Sequence, residues 1–150
     1  TVNQNLPESK GSIHIKSTNP EDPPTIKFNF LSNSLDRDTL VSGVKLIRKL
    51  MKSETMQEFC GEEVQPGESF SSDDDILKFI RDKAETVYHP SGTCKMGFDQ
   101  ESVVDKNLKV HGIKGLRIAD ASIMPTLVSG NTNAVCMMIG ERCADFILNS

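Results

Sequence analysis

This chain is short of basic charge, of long apolar runs and of grouped cysteines, and each shortage removes a class of function. Lys and Arg number 17 against 21 Asp and Glu, a net charge of −4. A nucleic-acid-binding domain usually carries the opposite balance, so that class drops out. No apolar run approaches the roughly 20 residues that cross a bilayer, so no transmembrane segment is expected. The opening stretch, "TVNQNLPESKG", is polar and does not read as a signal peptide. Its first residue is Thr1, which suits a processed N-terminus or a piece of a longer protein. The four cysteines, Cys60, Cys94, Cys136 and Cys143, form no CxxC and no Cys/His cluster, so no metal site is expected. Cys136 and Cys143 lie two helical turns apart, about 10 Å along an axis, too far for a bridge. All four read as reduced, small apolar fillers. That favours intracellular residence and a cytoplasmic location, with membrane association left open for a longer parent. No internal repeat or low-complexity tract is visible. What remains is 150 residues, 37% hydrophobic and 25% charged, enough for one domain or two small lobes around a core.

Local patterns set out the elements. "GSIHIKST" (11–18) and "TIKFNFLS" (25–32) alternate apolar and polar residues around the proline-rich "NPEDPP". Two half-buried antiparallel strands joined by that loop are expected. Leu40, Val44, Ile47 and Met51 recur at helical spacing over 35–52, with acids first and bases last, as the helix dipole favours. Residues 60–71 read as a loop. A second helix is expected from Ser72, where Asp73, Asp74 and Asp75 form an acidic first turn and not a metal site. "LKVHG" and "GLRIADAS" read as short strands around a "GIKG" turn. The segment 132–148 reads as a long helix whose first half, "NAVCMMIG", is apolar nearly all round and so expected to be buried.

Two stretches carry residues that can do chemistry. In "YHPSGTCKMG" (88–97), Pro90 pushes His89 toward an extended backbone, and Gly92 and Gly97 permit close approach of the chain. A histidine on such a constrained loop is a candidate general base. His14, on the outer face of a strand, and His111, beside a turn glycine, read as structural or exposed. In the second stretch, "LRIAD" ends in Asp120-Ala121-Ser122, and "SGNTNA" opens the last helix. Asn131, Thr132 and Asn133 suit a helix N-terminus, whose free N–H groups either need ordinary capping or receive an anion or an electron-rich heteroatom.

Together these stretches resemble the C-terminal signature of the glucose–methanol–choline (GMC) family of flavin-dependent oxidoreductases. The matching runs are "YHPSGTCKMG", "VVDKNLKVHGIKGLRIADASIMP" (103–125) and "SGNTNAVCMMIGERCADFI" (129–147), with "SKGSIHI" and "NFLSNSLDRDTL" upstream. The resemblance spans about residues 7 to 148, and "SGNTNA" and "MIGERCAD" favour its choline dehydrogenase-like branch. It implies that His89 is the catalytic base, that Asn131 is the second polar side chain across the site, and that the cofactor is FAD. Asp120 and Ala121 would lie by its ribityl–phosphate chain, and Asn131, Thr132, Asn133 and Ala134 by its ring. The implied reaction is oxidation of an alcohol.

The family's Gly-rich dinucleotide turn, GxGxxG, is missing here. The resemblance therefore implies the C-terminal part of a larger enzyme, whose N-terminal FAD-binding region is a missing partner. The part alone is expected to be inactive and prone to self-association through its last helix. The fold expectation is α+β. Residues 1–98 would form a substrate lobe, an antiparallel sheet with backing helices, ending in the HPxGT loop. Residues 99–150 would supply a strand and long helix completing the FAD domain. Two alternatives stand beside this: a hydroxynitrile lyase of the same family, and a free-standing interaction module without catalysis.

Overall fold

The computed structural model describes residues 1–149. The order of elements is β1 (Ser12–His14), β2 (Thr25–Lys27), α1 (Ser34–Met51), α2 (Glu54–Gln57), α3 (Asp73–Lys83), a 3₁₀ turn (Ala121–Ile123) and α4 (Asn133–Leu148). β1 and β2 pair as a two-stranded antiparallel sheet, so the chain is α+β. It divides into two compact units, Thr1–Ser12 with Thr25–Thr86, and Ile13–Pro24 with Val87 onward. The dividing line falls at Thr86/Val87, so the 88–97 stretch groups with the C-terminal part of the chain.

The first unit is organised by α1 and α3. Asn33 caps α1, its side-chain oxygen accepting from Leu35 N at 2.8 Å. Ser72 opens α3 with a reciprocal capping box to Asp75, which satisfies two otherwise orphaned donors. Val41 of α1 and Ile76 and Ile80 of α3 form a buried cluster, flanked by Leu31, Leu40, Val44 and Leu77. A Lys45–Asp73 ion pair links the two helices at the surface. Arg48, near the end of α1, grips the 60–71 loop. Its guanidinium meets Glu63 (Nη2–Oε1 2.8 Å) and donates to the carbonyls of Phe70 (2.7 Å) and Gly67 (3.0 Å). The short α2 lies in a stretch where no helix is expected from periodicity.

The strands are shorter than the alternation suggests. β2 stops at Lys27, and Asn29 and Leu31 take left-handed backbone (φ 54° and 59°), which an extended strand cannot contain. The alternating apolar side is not covered by the described residues either. Ile15 is 85% exposed, and Phe28 and Phe30 stack on each other in the open.

The second unit has its own core: Val104, Leu108, Ile123, Met124, Ile139 and Cys143. The two strands expected around "GIKG" are reduced to isolated bridges, Val104 with Val110 and Lys109 with Arg117. The backbone turns too often for a ladder. Leu108, Gly112 and Gly115 are all left-handed. The Asp105 carboxylate also folds the chain over itself, accepting from the N–H groups of Asn107 (2.8 Å) and Lys109 (2.9 Å). Arg117 ties this turn to α4 by donating to Phe146 O at 3.2 Å. α4 itself is not buried all round. Ile139 and Cys143 face the core, whereas Met137 and Met138 are 60% and 52% exposed. The four cysteines are free thiols.

Candidate functional site

His89 sits on a loop built by two constraints. Tyr88 before it has φ 61°, and Gly92 after it has φ 79°. From Gly92 to Met96 every second N–H of the loop is spent on one partner segment. Gly92 N donates to Ala121 O (3.2 Å), Cys94 N to Ser122 O (2.9 Å) and Met96 N to Ile123 O (2.8 Å). A Cβ on Gly92 would lie 3.2 Å from Met124 O, so a side chain there would be both strained and crowded. His89 is half-buried.

The far end of the loop is tied down separately. Lys95 Nζ reaches Asp99 (3.2 Å) and Glu101 (3.5 Å). The hydrogen bond to Asp99 holds the Lys95 ammonium above its ordinary pKa and the Asp99 carboxyl below its own. His111 Nε2 donates to Gly97 O at 3.0 Å, so this histidine is a tether of the loop. His14 is exposed on β1. Asp105 has a different balance. Burial pushes its carboxyl up, but the N–H groups of Lys109 and Asn107 outweigh that and hold it below the usual carboxylate range.

Asp120 stands at the start of the 3₁₀ turn. It does not end a strand, and one carboxylate oxygen caps the turn by accepting from Ser122 N at 2.7 Å. Ala121 gives its carbonyl to Gly92 and packs its methyl beside the core. The 3₁₀ turn also packs on α4. Asn131 is exposed just ahead of that helix, after Gly130 at φ 115°. Thr132 is the N-cap, yet its side chain makes no capping bond. The first turn keeps one bond to it, Cys136 N to Thr132 O at 2.9 Å. The donors of Asn133 and Ala134 are thus left without a capping side chain among the described residues.

The fold therefore brings the His89 loop and the Asp120–Ile123 turn into one hydrogen-bonded assembly, with α4 packed on the same turn. Sequence reasoning did not find the pairing itself. The only local signal was the run from Gly92 to Met96 with no helical period, bounded by glycine and proline.

The GMC oxidoreductase family model matches residues 7–140, and the chain belongs to that family. It is 48% identical over 143 residues to an alcohol dehydrogenase [acceptor] of Pseudomonas putida, covering 95% of this chain and 26% of that protein. It is 43% identical over 139 residues to an oxygen-dependent choline dehydrogenase of Escherichia coli, covering 93% of this chain and 25% of the relative. Among solved structures, pyridoxine 4-oxidase from Mesorbium loti superposes with a TM-score of 0.89 at 30% identity, over 97% of this chain and 28% of that one. The chain thus spans about a quarter of the length of the relatives it matches.

Proposed function

We propose that this chain supplies the substrate-binding and catalytic-base part of a flavin-dependent oxidoreductase that oxidises an alcohol CH–OH group. The observation that carries this is the triple backbone pairing of the His89 loop to residues 121–123, in a chain matched by the GMC oxidoreductase family over most of its length. It ties the loop that carries His89 to the turn that packs on α4. Under this reading residues 1–98 serve the substrate side and residues 99–150 the cofactor side, and the activity belongs to the longer protein.

Several features of the chain fit FAD. The start of α4 offers uncapped N–H donors and the positive end of a helix dipole, which suit the electron-rich edge of a flavin. Gly130 leaves open space where a Cβ would stand. Asn131, Thr132, Asn133 and Ala134 would hold the ring. Asp120 would present its remaining carboxylate oxygen, and Ala121 its backbone, to the ribityl–phosphate chain. When bound, the flavin supplies a two-electron acceptor.

The rest of the chemistry falls to side chains of this chain. A neutral His89 ring nitrogen accepts the substrate hydroxyl proton. The Asn131 amide donates to the substrate oxygen as negative charge develops on it. General-base catalysis of this kind contributes roughly 10²–10⁴-fold, and one oriented donor to an oxyanion roughly 10²–10³-fold. The test is stopped-flow reduction of the full-length protein by a panel of alcohols, choline included. His89→Ala is expected to slow reduction at least 10²-fold. A variant that reduces at the unaltered rate would remove His89 from the reaction.

A further inference from the structure

We infer that the turn over residues 105–117 is a docking surface for a bilayer bearing anionic headgroups. Ile113 and Leu116 enter the headgroup layer, and Lys106, Lys109 and Lys114 lie against its charge. The inference is independent of the role proposed for His89. In a chain of net charge −4, this one stretch holds three lysines and one arginine against a single aspartate. All three lysines are exposed, and among the described residues none of them joins an ion pair. The acid, Asp105, already has one oxygen occupied by the N–H groups of Asn107 and Lys109.

The register of the turn sets like charges face to face. Val110 N donates to Leu116 O (3.0 Å) and Ile118 N to Leu108 O (3.1 Å). Lys109 and Arg117 are thereby directly opposed as an antiparallel pair, in the non-hydrogen-bonded position where side chains come closest. Like charges opposed in this way repel. Arg117 is held in place by the neutral carbonyls of Asn107 and Phe146. Lys109, Lys114 and Arg117 line one open hollow of about 580 Å³, with Asp105 as its one acid. An anionic surface over the hollow relieves that repulsion.

The same hollow is lined by apolar side chains that this unit leaves in solvent. Ile113 is 55% exposed and Leu116 47%, one on either side of Lys114. Gly112 and Gly115 turn the backbone at φ 75° and 77°, and a Cβ on either would meet nothing within 4 Å. The bend therefore stands clear of the other described residues. An acidic protein would have to offer a pocket shaped to each apolar side chain. A bilayer accepts any apolar group that reaches below its headgroups, while lysine stems lie along the apolar layer and keep their charge at the surface. Cationic charge with apolar tips on one bend thus fits a lipid surface better than a protein one.

The test is co-sedimentation of the full-length protein with phosphatidylcholine vesicles, and with vesicles made one-third anionic by phosphatidylglycerol. Wild type is expected to bind the anionic vesicles at about 0.1 M salt, to ignore the neutral ones, and to be released at about 1 M salt, where screening is strong. Each lysine near such a surface is worth roughly fivefold. Lys106→Gln, Lys109→Gln and Lys114→Gln together should therefore weaken binding roughly 10²-fold, whereas the matching three Lys→Arg changes retain it. Ile113→Ser with Leu116→Ser should weaken it about tenfold through lost apolar burial. Flavin content and thermal midpoint should hold in all three variants, because every altered side chain is exposed. Wild type that ignores the anionic vesicles would overturn the inference and leave the turn to an acidic protein. Undiminished binding by the Gln variant would move the contact elsewhere, and undiminished binding by the Ser variant would refute insertion of residues 113 and 116. Full displacement by free glycerol phosphate would reduce the surface to a small-anion site. Binding is read without turnover, so loss of the base assignment for His89 leaves this result standing.

Discussion

Asp36 offers the most direct test of how the first unit is held together. It is 3% exposed, the only charged residue in the buried set among the described residues. Its two carboxylate oxygens accept the backbone N–H groups of Glu8 (2.9 Å) and Ser9 (2.8 Å). The Ser9 hydroxyl in turn accepts from Asn33 N at 3.0 Å. The N-terminal strand approach is thus clamped to the first turn of α1, where a negative charge also meets the favourable end of the helix dipole. Hydrogen bonds to a charged group are worth about 1.5–3 kcal/mol each, and orphaning buried donors costs about 1–3 kcal/mol each. Allowing for non-additivity, Asp36→Ala is expected to cost about 3 kcal/mol and Asp36→Asn, which keeps one acceptor, about 2 kcal/mol.

The assay is urea unfolding with native-state hydrogen exchange at the Glu8 and Ser9 amides. Protection at those two amides should fall more than at the Ile76 and Ile80 amides of α3. The pH dependence has a definite sign. Burial pushes the Asp36 carboxyl up, but the hydrogen bonds from Ser9 and Glu8, with a further one from Gln4, outweigh it and hold the folded pKa below the usual value. The unfolded state then binds the proton more readily, with a pKa of about 3.9. The stabilisation is fully present above that value and fades as pH falls through the lower folded pKa. Unchanged protection at Glu8 and Ser9 in Asp36→Ala, or loss of it between pH 7 and 5 in wild type, would refute the clamp.

Two further substitutions probe the same unit. Gly11→Ala would drive a Cβ into the carbonyls of Lys27 and Phe28, so a loss of about 1–3 kcal/mol is expected from overpacking, read as a lowered thermal midpoint. Arg48→Lys cannot reproduce the fork that spans Glu63, Gly67 and Phe70. The pair is partly exposed, so after screening the expected loss is about 1 kcal/mol, seen as roughly fivefold faster protease cleavage within 60–71. Glu63 adds a pH signature. Its hydrogen bond to Arg48, opposed by burial, holds its carboxyl low. Resistance of the loop should therefore persist above pH of about 4.3 and weaken only below it.

The residues that mattered here were legible to different degrees. Ser72 with Asp75 announced the start of α3, and the apolar period announced α1, because a cap and a helical stripe are complete within a few residues of chain. The "YHPSGTCKMG" and "SGNTNA" runs pointed to a family for the same reason. Their special residues lie side by side in sequence.

Three things needed the tertiary structure. The partners of Asp36 are 27 and 28 residues away, and nothing local marks that one carboxylate as buried while Asp73 and Asp74 stay in solvent. The alternation in 11–18 and 25–32 said which side of a strand would be apolar, not that left-handed residues would cut β2 short or that Phe28 and Phe30 would be left exposed. Tyr88 reads as an ordinary aromatic. Its positive φ shows only in the folded backbone, as do the bonds from Gly92, Cys94 and Met96 to carbonyls at 121–123, across a separation of about 28 residues that only folding closes. Local chemistry chose the helices and the histidine. Long-range hydrogen bonds decided where the loop carrying that histidine is held, since the donors of Gly92, Cys94 and Met96 and the carbonyls of residues 121–123 lie far apart in sequence and meet only in the folded chain.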